Sequence, residues 1–384
     1  PSRACLMTGR YGHRFGYECN LSDQTNGLPI SEETIGDIFK ANGYRTAAIG
    51  KWHLGSKDEY HPNRRGFDLF YGMKAGHRDY FYDENKSDRL GDERNILRND
   101  KPVKFDKYLT DTFSDEAARF IKKGDQPFML YLAYNAVHTP MQATKEDLER
   151  FKEHPRQKLA AMTFALDRGI GVIVNALKES GKFDNTLIFF LSDNGGATNN
   201  QSSNTPLKGF KGNKFEGGHR IPYFLVWKNG ISHGHHHYSG LVSSLDIFAT
   251  ATEAAGISQT RNKLDGTSLL PYINNKKKGE PHEVLYWRKM DTRAIRSGDY
   301  KLIITQGVDS VLYNIQTDPG EMKNLIKKEV KTYRRLAKRL TNWEKDECIT
   351  PLWVEKGWSS ITNGYHQQLM HNKIKSAQDL KKKK

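Results

Sequence analysis

The chain has 384 residues, of which 36% are hydrophobic, and a formal net charge of +15 at pH 7. This length allows one large α/β domain and a smaller one, and the lack of an apolar run of about 18 residues predicts that nothing spans a membrane. Three scattered cysteines, Cys5, Cys19 and Cys348, exclude a disulfide framework and a zinc site.

The positive charge is concentrated at the end of the chain. From Glu321 onward there are 16 Lys or Arg and 7 Asp or Glu, so 16 minus 7, or +9, of the +15 lies in the last 64 residues. Such a tail predicts a solvated, poorly ordered end. The charge is therefore no argument for a nucleic-acid-binding domain, and attraction to a sulfated polymer explains it equally well.

The first half of the chain alternates predicted helices and strands. After the opening Pro1–Arg10, a helix is expected beyond an N-cap at Ser31, and a short strand, Thr46–Ile49, runs into Gly-Lys-Trp-His-Leu-Gly at residues 50–55. The polar, Tyr/Arg-rich stretch 56–105 is typical of an insertion that shapes a binding site, and it makes His77 and Arg78 candidates for holding substrate.

Two further strands are each followed by a polar motif. Phe128–Tyr134 precedes Asn-Ala-Val-His-Thr-Pro at 135–140, and Thr186–Leu191 precedes Ser-Asp-Asn-Gly-Gly at 192–196. Helices are predicted over Thr110–Lys123, Pro155–Ser180 and Ser243–Ala255. Because ligands bind beyond the carboxyl ends of the strands in doubly wound sheets, we expect one edge of the sheet to collect Lys51, His53, His138, Asp193 and Asn194.

The remainder predicts a second unit. Asn274–Pro281 is a linker by composition, and short strands separated by Gly-containing turns follow it, with a helix over Val330–Trp343. We predict an α/β catalytic domain at 1–275, a small antiparallel-sheet and helix subdomain at 282–345 and a basic extension at 346–384. A histidine-rich segment, His233–His237, lacks regular ligand spacing and is not assigned a metal.

Five segments together resemble the type I, formylglycine-dependent sulfatases, the arylsulfatase family of the alkaline phosphatase superfamily. They are Pro1-Ser2-Arg3 with Thr8-Gly9-Arg10, the 50–55 sextet, Ala-Val-His-Thr-Pro, Asp-Asn-Gly-Gly, and the loop from Leu207 to Pro222. The resemblance implies an alkaline-phosphatase-like mixed sheet sandwiched by helices. It also implies that the chain begins just inside the family signature, whose Cys or Ser, oxidised to formylglycine, would lie two positions before Pro1. We accordingly expect the chain alone to be N-terminally truncated and inactive.

The resemblance also implies roles for individual residues. Hydrated formylglycine would attack sulfur and form a sulfo-enzyme intermediate, Arg3 would hold it, and Lys51 and Lys211 would bind sulfate oxygens. His138 is expected on the leaving-group side and His53 at the proton removed on elimination. Lys208 and Lys214 do not align with the family lysine and are predicted to be solvated.

A divalent ion is part of the same expectation. Asp193 and Asn194 would bind Ca²⁺, or alternatively Mg²⁺, because hard oxygen ligands suit these ions. An acidic pair on an upstream strand supplies further ligands in the family. A formylglycine-generating or sulfatase-maturing enzyme is the implied partner, and a periplasmic or secreted location is expected.

The predicted substrate is a sulfated polysaccharide or glycan, with an aryl sulfate as a small alternative, and no nucleic acid. Lys51, His138, Lys211, His77 and Arg78 are the predicted substrate-binding residues. Two other functions stay open. One is hydrolysis of phosphonates or phosphodiesters by an enzyme of the same superfamily, and the other is a catalytically dead protein that binds polyanions.

Overall fold

The computed structural model describes residues 1–20, 25–89, 91–232, 234, 237–258 and 260–381. Three residues of the histidine-rich segment, His233, His235 and His236, lie outside the described residues. The lysines from 382 to 384 lie outside them as well.

The catalytic half is built on a five-stranded sheet with the order β4-β3-β2-β1-β5. Its strands are β1 (Arg45–Lys51), β2 (Leu69–Met73), β3 (Leu97–Arg98), β4 (Lys101–Pro102) and β5 (Phe128–Ala133). The central strand β1 is parallel to both β2 and β5, whereas β3 and β4 are added antiparallel. The sheet is therefore mixed, as predicted.

Helices cover both faces of this sheet because β1 presents apolar side chains alternately to each side. On one side, Ala48 packs in a cluster with α1 (Ser2–Thr8), α2 (Ile35–Ala41) and α7 (Asp246–Ala254). On the other, Ala47 and Ile49 pack with α3 (Leu109–Lys122) and α5 (Gln157–Glu179). Three shorter helices complete this half, namely α4 (Lys145–Arg150), α6 (Glu216–His219) and α8 (Leu270–Ile273).

The predicted N-cap of α2 is wrong. The cap is Thr34, whose hydroxyl accepts from the Asp37 amide at 3.1 Å, while the Asp37 carboxylate accepts from the Thr34 amide at 2.9 Å. This reciprocal pair is a capping box, which satisfies two amides at once. Ser31 cannot be the N-cap, because the helix begins four residues later, at Ile35.

The strand that carries Asp193 does not pair with the main sheet. β6 (Ile188–Leu191) forms hydrogen bonds to β7 (Tyr223–Val226) in a separate antiparallel pair. Within the part of the chain that the structure describes, β5 and β6 each have an unpaired edge. Phe190, Phe224 and Val226 are exposed on the two-stranded sheet. The expectation of one continuous edge is corrected, although the end of β6 still reaches the same site.

The C-terminal half is a four-stranded antiparallel meander with helices on both faces. Its strands, in the order β11-β10-β9-β8, are β8 (Val284–Lys289), β9 (Thr292–Ser297), β10 (Tyr300–Thr305) and β11 (Asp309–Asn314). Ile295, Leu302 and Leu312 pack on α9 (Val330–Glu347), and the alternate residues face the last helices. The antiparallel subdomain predicted from the sequence is thus present.

The last residues are folded, in contrast to the solvated tail that their charge suggested. Two helices, α10 (Lys356–Met370) and α11 (Ala377–Lys381), follow α9. Leu369, Met370 and Ile374 are buried against Val311 and other residues of the sheet. Apolar residues spaced along a basic segment are sufficient for packing, because lysines can remain solvated on the opposite face.

One helix, α5, is long and apolar enough to cross a membrane by length and composition, with a mean hydropathy of 1.3. Its contacts are those of a helix that covers a sheet. Ala161 and Ala165 are buried in the cluster below it, and Arg168 forms ion pairs with Asp111 on α3 and Asp147 on α4. A charged residue bound to neighbouring helices in this way favours a core helix.

Candidate active site

Arg3 is the residue that joins the elements of the site. From the first turn of α1, its Nη1 donates to the Lys51 carbonyl at 3.0 Å and to the Tyr131 hydroxyl at 2.8 Å, while Nη2 donates to Asp193 Oδ2 at 3.2 Å. These contacts reach the ends of β1 and β6 and the middle of β5. The guanidinium suits this role because its donors are fixed in one plane.

Lys51 is the last residue of β1 and is only 7% exposed. The preceding Gly50 has φ 103°, and a Cβ there would lie 2.1 Å from the Ala133 carbonyl oxygen, so only glycine fits between the two strands. Burial, with help from Arg3 and Lys211, lowers the pKa of the Lys51 ammonium to about 7. An anion bound beside it would stabilise the charged form.

His53 follows two residues later, in the left-handed region with φ 57°. Its ring lies against Gly76, where a Cβ would come within 2.8 Å of Nε2. Burial, together with Lys51 and Arg3, lowers the pKa of His53 to about 2. The ring is therefore neutral at physiological pH.

His138 lies beyond the carboxyl end of β5. Its Nδ1 is 2.8 Å from the Thr139 carbonyl oxygen, and the Tyr80 hydroxyl donates to the His138 carbonyl at 2.9 Å. Since a carbonyl only accepts, the neutral ring carries its proton on Nδ1 and leaves Nε2 for another partner. Burial, with Lys211 and Lys51 nearby, lowers the pKa of His138 to about 4.

Asp193 and Asn194 lie directly after β6. Burial alone would raise the pKa of Asp193, but Arg3, Lys51 and Lys211 outweigh it and lower that pKa to about 2. The carboxylate is thus charged throughout the physiological range. Asn194 uses Nδ2 to donate to the Gly195 carbonyl at 2.9 Å, so its side-chain oxygen can serve as a ligand.

These two residues fit part of a calcium or magnesium site. An anionic carboxylate and an adjacent amide oxygen are hard donors of the kind that these ions prefer. Among the described residues, no group of three or more His, Cys, Asp or Glu side chains is placed to hold a metal. Asp193 and Asn194 therefore supply some of the ligands of such an ion and not a complete set.

Lys211 is brought to Asp193 by backbone hydrogen bonds between two glycine-rich loops. The Lys211 amide donates to the Gly196 carbonyl, and the Gly195 amide donates to the Gly218 carbonyl, both at 3.0 Å. A Cβ on Gly195 would lie 1.9 Å from the Gly217 oxygen, so this loop contact depends on glycine. Burial, with Arg3 and Lys289 nearby, lowers the pKa of Lys211.

The prediction that Lys208 is solvated is wrong. Lys208 is 2% exposed, and its Nζ donates to the Glu321 carbonyl at 2.9 Å and to Asn372 Oδ1 at 2.7 Å. Its ammonium also lies 4.8 Å from the centre of the Phe215 ring. Lys214 is half-buried, and burial lowers its pKa to about 8. Lys208 thus anchors the loop that carries Lys211 to the C-terminal subdomain.

The two insertion candidates occupy different environments. His77 is exposed and stacks on His138, with ring centres 6.3 Å apart, so it borders the site. Arg78 is buried with Asp88 in a bidentate pair of 2.8 and 2.9 Å, and both side chains are 0% exposed. Arg78 therefore holds the insertion together and does not face a substrate, which corrects the sequence-based assignment.

Sequence reasoning missed two contributions to the site. Tyr131 was taken as part of an apolar strand, although a phenol is the only polar side chain in Phe128–Ala133 and could have been noticed. The second is a buried charge cluster in which Lys301 Nζ lies 2.8 Å from Glu216 Oε1 and 3.0 Å from Glu321 Oε1. Glu216 belongs to the Glu-Gly-Gly motif, but its partners are about 85 and 105 positions away in the chain.

Comparisons with known proteins agree with this geometry. Residues 1–257 match the family described as Sulfatase, and residues 211–346 match the family described as N-sulphoglucosamine sulphohydrolase, C-terminal. The uncharacterized sulfatase YdeN of Escherichia coli (strain K12) is 36% identical over 319 residues, which cover 75% of this chain and 55% of that protein. The N-acetylgalactosamine-6-sulfatase of Mus musculus is 31% identical over 340 residues, covering 78% and 62%.

Solved structures extend the similarity to the whole fold. Ps i-CgsB, crystallised in complex with k-i-k-neocarrahexaose, superposes with a TM-score of 0.86 at 35% identity, covering 94% of this chain and 85% of that one. The structure of BT4656 with D-glucosamine-2-N,6-O-disulfate has a TM-score of 0.71 at 20% identity, covering 90% and 87%, which shows a shared fold. The chain spans 55% to 62% of the length of the curated relatives named above.

Proposed function

Since this chain belongs to the sulfatase family, we propose that the protein containing it hydrolyses sulfate esters. The observation that carries the proposal is the meeting of Arg3, Lys51 and Lys211 around Asp193. All three cations perturb the pKa of that one carboxylate. A sulfate group has three non-bridging oxygens whose charge must be stabilised, and preorganised cations are the strongest source of that stabilisation.

The protein's own residues divide this work. Lys51 and Lys211 bind the sulfate oxygens, because Lys51 at the end of β1 and Lys211 on a separate loop both act on the Asp193 carboxylate, and neither side chain is fully exposed to water. Arg3 donates to the Lys51 carbonyl, the Tyr131 hydroxyl and the Asp193 carboxylate, so it orients these neighbours. Fixed positions remove the cost of reorganisation during the reaction.

Two histidines handle protons. His138 presents Nε2 to the site, and a bound sulfate ester, being anionic, raises the pKa of this ring towards the protonated form that can give the leaving oxygen a proton. His53 is neutral, because burial, Lys51 and Arg3 lower its pKa. A bound sulfate group would offset these cations and raise that pKa, so that the ring could accept a proton in the step that releases sulfate. The two roles need opposite protonation states, and of the two rings His138 has the less strongly lowered pKa, about 4 against about 2 for His53.

Two groups complete the proposed site. Formylglycine, when present, would supply the nucleophilic hydroxyl, and Ca²⁺, which Asp193 and Asn194 would partly hold, would supply positive charge to the bound sulfate. Arg3 donates to Asp193 Oδ2 at 3.2 Å and so holds this carboxylate in place for the ion.

The proposed substrate is a sulfated polysaccharide or glycan. Supporting it, Ps i-CgsB, at 35% identity, was crystallised with a carrageenan hexasaccharide, and relatives at 30–31% identity are named N-acetylgalactosamine-6-sulfatases. The exposed His77 beside His138 provides a rim where a sugar ring can pack and form hydrogen bonds. A periplasmic or secreted location stays a prediction.

The test is hydrolysis by the natural full-length protein, produced together with a formylglycine-generating or sulfatase-maturing enzyme. We expect release of the aryl alcohol from an aryl sulfate and of inorganic sulfate from sulfated oligosaccharides. The isolated 384-residue chain is the comparison, and its expected inactivity stays a prediction.

The same assay separates the two other functions. Faster turnover of an aryl phosphate diester than of the aryl sulfate would replace the proposal with a phosphodiesterase. A matured protein that binds sulfated oligosaccharides without releasing sulfate would be a binding protein. Intact Lys51, His53, His138 and Lys211 argue against that outcome, because binding alone does not require two proton-transfer groups.

A further inference from the structure

A second cleft lies between the loop that follows α1 and the helix α9 of the C-terminal subdomain. Its volume is about 470 Å³, and it is lined by Tyr11, Arg14, Asp265, Tyr286, Arg335 and Lys338, among others. Catalytic residues assigned above, such as Arg3 and Lys51, are not among its lining residues. A volume of this size is in the range of sites for small molecules or for part of a polymer, about 300–1,000 Å³.

The mouth of the cleft carries unpaired positive charge. Arg14 is bound by Asp265 at 2.7 Å and also by Glu347, and Arg339 is bound by Glu283. By contrast, Arg335 and Lys338 are exposed and form no ion pair with a carboxylate among the described residues, although Arg335 is near enough to Glu283 to help Arg339 lower the pKa of that carboxylate. These two side chains are therefore available to an external anion.

The same charge continues along one face of α9. Residues spaced by alternately four and three positions lie on one side of a helix, and here all five are exposed: Lys331, Arg335, Lys338, Asn342 and Lys345. Over these 14 positions the stripe is about 21 Å long, at about 1.5 Å per residue. A single exposed ion pair contributes little binding free energy, so a ligand needs several consecutive charges to bind this stripe. That requirement favours a linear polyanion.

The lining of the cleft favours a sugar over a nucleic acid. Asp265 and Glu347 are engaged by Arg14, whereas Asp346 is exposed at the cleft. Its carboxylate can accept a hydrogen bond from a hydroxyl group, which a polysaccharide carries on its sugar rings. Tyr286 is half-buried at the wall and stacks on Trp343, with ring centres 4.6 Å apart, so its phenol is held rigidly at the edge of the cleft. Hydroxyl acceptors, an aromatic wall and cations together match a sulfated carbohydrate.

We propose that this cleft and the cationic stripe of α9 form a second, non-catalytic binding site for a sulfated polysaccharide. The site would hold a chain of the polymer to the C-terminal subdomain while other sulfates of the same chain reach the catalytic residues. The proposal rests on the proposed function for the identity of the polymer, but binding is measured without turnover.

The experiment measures the salt concentration at which the matured full-length protein and its Arg335→Ser/Lys338→Ser variant elute from immobilised dextran sulfate. Unsulfated dextran is the resin control. Lys101→Ser/Lys123→Ser is the matched variant, because it removes the same charge from exposed positions on the catalytic half that have no carboxylate partner among the described residues. We expect wild type and the matched variant to elute together and Arg335→Ser/Lys338→Ser to elute at lower salt. None of the three should bind dextran.

A second readout links the cleft to polymers. The cleft variant should show a KM for a sulfated polysaccharide raised about two- to tenfold, with kcat/KM for an aryl sulfate unchanged. Equal elution of the two double variants from dextran sulfate would overturn the proposal. The same proteins are also eluted from immobilised single-stranded DNA. If the cleft variant elutes at lower salt from the DNA and not from dextran sulfate, the proposal is overturned and the cleft is assigned to nucleic acid. If the protein hydrolyses no sulfate ester at all, the chromatography still tests the binding site, because elution from dextran sulfate does not depend on turnover.

Discussion

Arg3 and Asp193 form an ion pair of 3.2 Å across 190 positions of the chain. Arg3 is in the first helix and Asp193 follows a strand that has no hydrogen bonds to the main sheet in the described part of the chain. The pair therefore positions the predicted metal ligand relative to Lys51, whose carbonyl accepts from the same guanidinium. The predictions below assume the matured full-length protein.

Replacing Asp193 with Asn should remove most of the activity and leave the fold intact. The change removes a charged oxygen ligand and the partner of Arg3, while the volume stays the same. Turnover of an aryl sulfate and bound calcium, measured by mass spectrometry, are the readouts. Asp184→Asn is the control, since Asp184 is 48% exposed and paired only with Lys228 at the surface. Full turnover after treatment with a chelator would rule out the metal.

Lys211→Ala should reduce kcat/KM by about 10²-fold or more, the cost of losing a group that stabilises charge in the transition state. The melting temperature should change little, because the loop is held by backbone hydrogen bonds that this substitution keeps. Lys152→Ala, at an exposed lysine paired with Glu149, is the matched control. A loss no larger than the control's would mean that Lys211 does not bind the sulfate.

Lys208→Met should lower the free energy of unfolding by about 1–3 kcal/mol, because the buried Glu321 carbonyl loses its donor and the hydrogen bond to Asn372 Oδ1 is lost as well. Urea denaturation followed by circular dichroism measures this change. An unchanged midpoint would show that water replaces the lysine at no cost. A solvated Lys208, as the sequence predicted, would give no such loss of stability, so the experiment distinguishes the buried lysine from the solvated one.

His77 and Arg78 should differ although they are adjacent. Arg78→Met leaves Asp88 charged and buried, and should destabilise the protein by about 3–5 kcal/mol. Adding Asp88→Leu should restore most of that loss. His77→Ala should leave stability unchanged and raise KM for a sulfated oligosaccharide. Stability loss at His77 with none at Arg78 would contradict both assignments.

The protein should lose stability as the pH falls below about 6.5. His366 is 0% exposed, with Nδ1 2.8 Å from the Thr362 carbonyl and Nε2 accepting from the Lys214 amide at 3.1 Å. Burial lowers the pKa of His366 to about 4 and that of the buried His13 to about 3. Both folded pKa values are below the unfolded value of about 6.5. Between pH 6.5 and the folded pKa of each histidine, only the unfolded state binds the proton, so the folded state loses stability as the pH falls.

Each such histidine can cost up to about 1.4 kcal/mol per pH unit in that window. Urea unfolding at pH 7.5, 6.5, 5.5 and 4.5 gives the slope, and His366→Gln should make it shallower. A slope that is identical in the variant would mean that other groups, and not His366, cause the acid lability.

Much of the molecule follows from local sequence. The antiparallel C-terminal sheet was predicted from short apolar strands separated by Gly-containing turns. The mixed sheet between helices was expected from the resemblance to the family, which the local motifs carry. The family motifs are equally local. Gly50 before Lys51 and Gly195 after Asn194 are required by the close approach of backbones, and that need is visible as glycine in the sequence.

Only the tertiary structure decided which polar groups are buried and with what partner. Lys208, Lys211 and Lys214 are alike in type and spaced three residues apart, yet Lys208 is bound to residues 113 and 164 positions away. Arg78 is buried by Asp88 while its neighbour His77 is exposed. A side chain's desolvation and its ion pairs depend on contacts between distant segments, and local residue order does not encode which of several similar residues will make them.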